Sequence, residues 1–218
     1  MIYRDSRNVY RSALLDGIPW LRHGFGTRNS IDWPPEPRVA LKQIHSAVAL
    51  IPAAGHGCAG EGDALLTDRP GVTLSVRTAD CIPILIADPV RHAVAAVHAG
   101  WRGSARMVAV RAVERMASAF GSRPEDLLAA IGPGIGVCCY EVGPEVAGSF
   151  RPWFPSLENS RLDLPEANRR QLLETGLKPA NIASGAPCTC CRPDEFHSFR
   201  RDRNKLRMVS AITLSAQK

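Results

Sequence analysis

The sequence predicts a mixed α/β (α+β) fold in which stacked mixed β-sheets are flanked by helices. Three short runs rich in apolar and β-branched residues, at 72–76, 82–87 and 93–97, are separated by turn-forming segments. A long helical pattern follows at 105–120. Strands and helices do not alternate regularly, so we do not expect a parallel βαβ architecture. We expect a single domain of mixed sheets over residues 1–218.

Shorter patterns along the chain predict the remaining elements. The segment at 105–120 places apolar side chains at three- and four-residue intervals and ends at Gly121, a residue suited to the end of a helix. Ser122 and the acids after Pro124 have the composition of a second helix start. Elsewhere we expect strands at 23–28, 47–51, 127–131, 162–164, 181–184 and 206–214, helices at 144–150 and 165–176, and loops at 53–62 and 188–191.

The composition is that of an ordinary water-exposed globular chain. The net charge is +6, and the arginines are spread along the sequence, so we expect binding of small anions rather than of nucleic acid. No apolar run reaches the roughly 18–20 residues of a membrane span, and the first residues lack the apolar core of a secretion signal. We therefore expect a cytoplasmic protein without membrane association, as a monomer or weak homo-oligomer, whose seven cysteines are thiols or ligands.

Two chemically versatile side chains lie at the ends of predicted strands. Cys81, with Asp80 beside it, lies between the first two strand runs, and His98 follows the third. Neighbouring strands are only about 5 Å apart, so a thiol and an imidazole at such ends can meet. Trp101 and Arg102 follow within the glycine-containing turn and would add a wall and a fixed positive charge.

Two chemistries fit this pair. Cys81 could be a thiolate nucleophile with His98 as its base. Alternatively, both could bind a metal with a third ligand, because one thiolate and two imidazoles leave a position open on tetrahedral Zn²⁺. His45 could supply the second imidazole, but spacing alone does not favour it over the histidines at 23, 56 and 92.

A series of motifs in one order resembles a known family. That family is the polyphenol oxidase or laccase-domain family, also described as the peptidoglycan editing factor family, and its fold resembles the catalytic domain of cytotoxic necrotising factor. The resemblance covers nearly the whole chain. The motifs are Q-I-H at 43–45, D-A-L-L-T-D at 63–68, T-A-D-C at 78–81, H-A-G-W-R-G at 98–103, I-G-P-G-I-G-V-C-C-Y-E-V at 131–142 and F-R-R-D at 199–202.

The resemblance implies a metal centre and a set of activities. The family's zinc ligands fall on His45, Cys81 and His98. Its members are similar to purine nucleoside phosphorylases acting on adenosine, inosine and methylthioadenosine, and they also deaminate adenosine. The substrates expected here are therefore purine nucleosides and phosphate. Copper-dependent phenol oxidation has also been attributed to the family, so Cu²⁺ is a possible metal, and bacterial members are linked to removal of wrongly incorporated L-serine from peptidoglycan precursors.

Within that resemblance we assign roles by residue chemistry. Cys81, Asp80 and Arg102 are the expected catalytic residues: Asp80 would be an acid/base or would orient a ligand histidine, and Arg102 would hold phosphate. Gln43, Cys139 and Arg200 are the expected substrate-binding residues.

The other cysteines are expected to be neighbouring thiols rather than a second metal site. The spacing in 188–191 is C-x-C-C, which differs from the C-x₂-C of common structural zinc sites.

Two other functions remain open from the sequence. The Cys81–His98 pair would suit a cysteine amidase acting on a serine-containing peptidoglycan precursor. The segment between Arg28 and Gln43 is shorter than is usual in the family, which would suit a nucleotide- or metal-binding regulator without activity.

Overall fold

The computed structural model describes residues 1–157 and 160–215, and it has the mixed α/β architecture that the sequence predicts. Its strands form one seven-stranded and one six-stranded sheet. The strands are β1 (Ile2–Arg4), β2 (Val9–Ser12), β3 (Leu21–Gly26), β4 (Val39–Lys42), β5 (Ala49–Leu50), β6 (Gly57–Glu61), β7 (Ala64–Thr67), β8 (Thr73–Thr78), β9 (Ile82–Asp88), β10 (Ala93–Ala99), β11 (Leu128–Ile131), β12 (Ile182–Ala183) and β13 (Met208–Leu214).

Both sheets mix parallel and antiparallel neighbours. The seven-stranded sheet has the order β1-β2-β3-β13-β8-β4-β6, in which β4 is parallel to both β6 and β8. The six-stranded sheet has the order β12-β11-β9-β10-β7-β5, in which β11–β12 and β5–β7 are the parallel pairs. The chain alternates between the two sheets from β4 to β9, which explains why the sequence shows no regular βαβ pattern.

The six-stranded sheet is the middle layer of the molecule. On β10, Val94 and Ala96 pack with the seven-stranded sheet, whereas Ala95 and Val97 pack with the helices on the opposite side. All residues of β9 and β10 are buried. A strand buried on both faces needs no polar alternation, and this accounts for the continuous apolar runs in the sequence.

Helices cover the outer face of the six-stranded sheet. The predicted long helix is in fact two helices, because Met107 adopts a left-handed conformation (φ 62°) between them. The pattern of apolar residues continues through this position, and a methionine gives no sign of a left-handed conformation, which is uncommon for residues other than glycine. The second helix ends at Gly121, as predicted. The helices on this face are α2 (Trp101–Ala105), α3 (Val108–Phe120), α4 (Pro144–Ser149) and α5 (Leu164–Glu174). Two short helices lie elsewhere: α1 (Ala13–Asp16) packs with the seven-stranded sheet, and α6 (Phe199–Asp202) lies at the cavity described below.

Three other local predictions are wrong. The expected loop at 53–62 contains β6, whose glycine-rich sequence hides a strand at the sheet edge. The expected strand at 162–164 instead leads into α5, where the Asp163 side chain accepts a hydrogen bond from the Glu166 N–H and caps the helix. The helix expected after Ser122 is a single 3₁₀ turn, Pro124–Asp126.

Candidate active site

Three successive connections between the sheets place functional side chains at one end of the molecule. β4, β6 and β8 are parallel, so their carboxyl ends lie together, and from each the chain crosses to the six-stranded sheet. His45 lies in the first crossing, Asp63 in the second, and Cys81 in the third. His98 belongs to β10, whose last residue, Ala99, pairs with Ile82 at the start of β9. The fold therefore brings residues from four separate segments to one edge.

His45, Cys81 and His98 form a compact cluster. Their ligating nitrogen and sulfur atoms all lie within 4.8 Å of one another. The Cys81 Sγ is 4.0 Å from the His45 Nε2, and the two imidazole rings meet edge to face, with centroids 5.0 Å apart. One thiol and two imidazoles suit Zn²⁺, which binds nitrogen and sulfur donors and keeps a position open when the protein supplies three. The donor set thus fits a metal of this kind.

Asp63 holds both histidine segments in place. Its Oδ1 accepts a hydrogen bond from the His98 Nδ1 at 2.8 Å and another from the His45 backbone N–H at 3.1 Å. Its Oδ2 accepts from the backbone N–H and the hydroxyl of Ser46. Because the Nδ1–H of His98 donates its hydrogen bond to Asp63, the Nε2 of His98 is the nitrogen left to bind a metal.

The protonation equilibria of the cluster are coupled to one another. Burial favours a neutral Cys81, but hydrogen bonds and charge from His45 and His98 outweigh it and lower the pKa of the thiol to about 6. Burial likewise opposes a charged His98, yet the contacts with Asp63 and Cys81 raise its pKa to about 9. The pKa of Asp63 falls to about 2, since its hydrogen bonds from His98 and Ser46 outweigh burial. Cys81 is therefore a thiolate at neutral pH, as a metal ligand must be.

The close approach of the cluster depends on Gly100. A Cβ atom at this position would lie 2.8 Å from the Cys81 Sγ and 3.1 Å from the His45 Cδ2. Its φ of −74° is accessible to any residue, so space rather than backbone freedom requires glycine here. His45 and Asp80 themselves have positive φ values of 58° and 83°, which is uncommon away from glycine.

A cavity of about 750 Å³ opens over the cluster. Its wall includes six cationic side chains and one acid, Asp80, among the described residues. Trp101, Tyr140 and Phe199 add aromatic surface. Such a lining attracts anions and offers flat surfaces to a planar ring. The cations are Arg77, Arg102, Arg200, Arg203, Lys205 and Arg207.

Several residues expected from the sequence lie in the cavity wall. Arg102 stacks over Trp101, with its guanidinium carbon 4.4 Å from the ring centroid. Arg200 donates to the Glu141 carbonyl at 3.0 Å and lies over Tyr140. Gln43 also lines the cavity, but its amide is occupied by two hydrogen bonds of 2.8 Å to the backbone of Arg77. The amide of Gln43 therefore holds the backbone of Arg77 in the cavity wall.

Asp80 lies at the cavity, but neighbouring loops occupy its carboxylate. One oxygen accepts from the Thr189 hydroxyl at 2.7 Å, and the other from the Ser198 hydroxyl and the Arg200 backbone N–H. The carboxylate that is hydrogen-bonded to the His98 ring is that of Asp63, not Asp80. The geometry gives Asp80 the role of joining the loops around the cavity.

Cys139 lies away from the position expected for it. It does not belong to the cavity wall, and its Sγ is 3.3 Å from the Cys191 Sγ, in a group of four thiols. Its neighbour in sequence, Tyr140, faces the cavity instead. Adjacent residues in this turn point to opposite sides, which the sequence does not reveal.

The sequence also left three groups of site residues without a role. Asp63 was visible only as part of the D-A-L-L-T-D motif, although a carboxylate beside two ligand-bearing segments is a common partner for a metal-bound histidine. Tyr140 was visible only within C-C-Y-E-V. The cations at 203, 205 and 207 follow F-R-R-D, and their clustering was the available signal.

Comparison with known proteins identifies the family. Residues 26–215 match the family described as multi-copper polyphenol oxidoreductase laccase. The chain belongs to this family. The matched segment contains His45, Cys81 and His98. Within residues 1–157 and 160–215, no helix is both long and apolar enough to cross a membrane.

Relatives of this laccase-like chain carry the names of nucleoside enzymes. A Deinococcus radiodurans protein named purine nucleoside phosphorylase is 39% identical over 178 residues, which cover 79% of this chain and 68% of that protein. Adenosine deaminase RL5, from an unknown prokaryotic organism, is 37% identical over 149 residues, covering 64% of this chain and 56% of that protein.

A third relative, YlmD of Geobacillus stearothermophilus, is named a purine nucleoside phosphorylase and also has a solved structure. It is 36% identical over 208 residues, covering 85% of this chain and 76% of that protein. Its crystal structure superposes with a TM-score of 0.87 at 28% identity, covering 99% of both chains.

Proposed function

We propose that this protein is a zinc-dependent purine nucleoside phosphorylase that acts on adenosine, inosine and methylthioadenosine and also deaminates adenosine. The observation that carries the proposal is the His45–Cys81–His98 cluster beneath a cavity rich in cations. The names of three relatives support it. Zn²⁺ in this cluster would supply Lewis-acid activation through its open position.

Different side chains of the cavity would bind the phosphate and the purine during phosphorolysis. In that reaction a phosphate oxygen bonds to the anomeric carbon of the ribose, and the purine leaves with the electrons of the glycosidic bond. Arg102 and Arg200 face the cavity and suit phosphate, because a guanidinium can donate two parallel hydrogen bonds. Trp101 and Phe199 offer surfaces to the purine ring.

Tyr140 can hold a proton inside the cavity. Burial, together with the nearby Cys81, raises the pKa of its hydroxyl to about 12. The group therefore stays protonated at neutral pH and can donate a hydrogen bond to a nitrogen of the purine. Asp63 keeps the proton of His98 on Nδ1 in both reactions.

The two reactions can be separated by their products. Adenosine is incubated with the zinc-loaded protein in phosphate buffer and in phosphate-free buffer, inosine and methylthioadenosine are tested separately in the same way, and the products are resolved by chromatography. Adenine and ribose 1-phosphate should form only with phosphate, and inosine should form in both buffers. If adenosine, inosine and methylthioadenosine all survive in both buffers, the proposal is wrong.

A cysteine amidase acting on a serine-containing peptidoglycan precursor is a second candidate. The observation that favours it is the lowered pKa of Cys81 between two imidazoles, which is also the arrangement of a thiolate nucleophile. Chelation distinguishes the candidates: it should abolish nucleoside turnover, whereas amide cleavage by a free Cys81 should survive or increase. A chelated protein that neither cleaves the amide nor is alkylated at Cys81 would exclude the amidase.

A further inference from the structure

Four cysteines form a second cluster on two loops. Their sulfur atoms all lie within 4.8 Å of one another, and none is among the residues that line the cavity. Two are adjacent in the loop after β11, and two lie in the loop after β12. The four are Cys138, Cys139, Cys188 and Cys191.

The topology explains why thiols about 50 positions apart meet. β11 and β12 are parallel neighbours, with Ala129 opposite Ile182, so their following loops leave the same end of the sheet. The loops then pair through a bridge between Gly134 and Cys188, and the Thr189 N–H donates to the Gly134 carbonyl at 2.9 Å. The backbone alone therefore holds the two pairs of thiols face to face.

The sulfur positions suit a tetrahedral cation. The Sγ of Cys191 lies 3.4 Å from that of Cys138 and 3.3 Å from that of Cys139. Four thiolates around Zn²⁺, each about 2.3 Å from the ion, lie roughly 3.8 Å apart. A disulfide would require two sulfurs about 2 Å apart and would leave two thiols over. All seven cysteines of the chain are free here.

Gly136 shapes the surroundings of the sulfurs. Its backbone N–H donates to the Cys188 Sγ at 3.2 Å, a contact that favours a charged sulfur. A Cβ at Gly136 would lie 3.2 Å from the Cys188 Cβ and 3.4 Å from the Cys138 Sγ. The absent side chain thus leaves room for the cluster and exposes a backbone donor to it.

The spacing of the second pair matches a structural zinc site after all. Described as C-x-C-C, the segment at 188–191 looks unlike one, but the structure selects Cys188 and Cys191 and leaves Cys190 out. These two residues have the C-x₂-C spacing that zinc sites commonly use.

We propose that Cys138, Cys139, Cys188 and Cys191 form a second metal site that binds Zn²⁺ and has a structural role. Four protein ligands leave no open position, which is typical of structural rather than catalytic zinc. The site joins two loops that reach the cavity: Tyr140 lines it, and the Thr189 hydroxyl holds Asp80. The metal would fix that wall without taking part in the reaction.

Metal content per chain tests the proposal directly. The protein is produced with added zinc, purified anaerobically without chelators, and its metal measured by mass spectrometry. We expect about two zinc ions per chain in the wild type and about one in His98→Ala. Cobalt added to the metal-free His98→Ala protein should show the absorption of a tetrathiolate site. Neither measurement requires a cysteine variant to fold.

Variants then assign the second ion to these thiols. Cys138→Ser and Cys191→Ser should each lose about one zinc ion, whereas Cys58→Ser, at an exposed thiol on β6, should lose none. One zinc ion in the wild type with none in His98→Ala would overturn the proposal. A Cys138–Cys191 or Cys139–Cys191 disulfide in the anaerobic protein, found by non-reducing peptide mapping, would also overturn it.

Discussion

At the scale of single residues, the proposed zinc site would depend on a carboxylate that is not one of its three ligands. Asp63 is fully buried and accepts hydrogen bonds from the His98 ring and the His45 backbone. In Asp63→Asn, one side-chain atom becomes a donor that faces the donors of Ser46. We expect zinc affinity to fall by about 10–100-fold, as is usual when such a partner of a metal-bound histidine is changed.

The matched control is Asp68→Asn, five residues further along the same motif. Asp68 is exposed, so this variant should keep the zinc affinity of the wild type. Competition with a chromophoric chelator measures both variants, and circular dichroism confirms that they are folded. Equal zinc affinity in a folded Asp63→Asn variant would show that the carboxylate does not position His98.

His23 makes the stability of the protein depend on pH. The side chain is fully buried, and its Nε2 accepts a hydrogen bond from the Ser12 N–H, which requires the neutral ring. Burial, reinforced by Arg11 and partly offset by Asp16, lowers its pKa from 6.5 to about 4. The unfolded chain therefore binds a proton that the folded chain does not, and stability is lost as pH falls from about 6.5 to about 4.

The expected loss from this one group is on the order of 3 kcal/mol, since each unit of pKa shift corresponds to about 1.4 kcal/mol. His23→Gln retains an acceptor but does not titrate, so its stability should fall less over the same range. Denaturant unfolding at several pH values gives the slopes. The exposed His56→Gln serves as the control and should behave as the wild type does. Equal slopes for His23→Gln and wild type would contradict the assignment.

At the scale of elements, the junction between β10 and α2 sets the packing of the cluster formed by His45, Cys81 and His98. Gly100→Ala would place a methyl group 2.8 Å from the Cys81 Sγ without straining the backbone. A displacement of about 1 Å at a reacting centre can cost about 100-fold in rate. We therefore expect zinc content and activity to fall by at least about tenfold in a variant that circular dichroism shows to be folded.

Gly143→Ala is a closely matched control for this change. Gly143 also precedes a helix, α4, and its φ and ψ of −78° and 170° resemble the −74° and 167° of Gly100. A Cβ at Gly143 meets nothing within 4 Å. Similar losses of zinc in both variants would mean that replacing the glycine before a helix disturbs the backbone. Contact between the new methyl group and the Cys81 sulfur would then not be the cause.

The elements also show what local sequence can reveal. The strand predicted at 82–87 is observed as Ile82–Asp88, because a run buried on both faces is apolar throughout. The break at Met107 and the strand inside 53–62 depend on tertiary contacts that leave no periodic pattern. The sequence could place Cys81 and His98 at strand ends, but not the crossing that brings Asp63 to the Nδ1 of His98.

At the scale of the whole molecule, α5 braces the helix that carries Trp101 and Arg102. The buried Asn168 exchanges hydrogen bonds with the Ser104 hydroxyl, and Gln171 donates to the Ser104 carbonyl. Polar pairs of this kind fix a unique arrangement, since a buried partner left unpaired costs about 1–3 kcal/mol. The helical layer thus holds one wall of the cavity against the sheets.

Charge acts over a longer range than these contacts. The protein has a net charge of +6, and six cations surround the cavity. Phosphate is an anion, whereas adenosine is neutral, so the field of these cations should act on only one of the two proposed substrates. Salt weakens it, because the Debye length is about 10 Å at 0.1 M and shortens as salt is added.

The last prediction follows from that asymmetry and rests on the proposed phosphorolysis. Raising the ionic strength from about 0.02 to about 0.2 M should raise the KM for phosphate several-fold, and leave the KM for adenosine in phosphate-free deamination unchanged.

Removing two charges at the cavity, in the double variant Arg203→Gln and Lys205→Gln, should raise the KM for phosphate at low salt and flatten its salt dependence. The control pair, Arg111→Gln and Arg115→Gln, removes the same charge from the exposed side of α3 and should do neither. Initial rates over a phosphate series measure each constant. If added salt raises both KM values equally, its effect on the protein is general. The cations of the cavity would then have no specific role in binding phosphate.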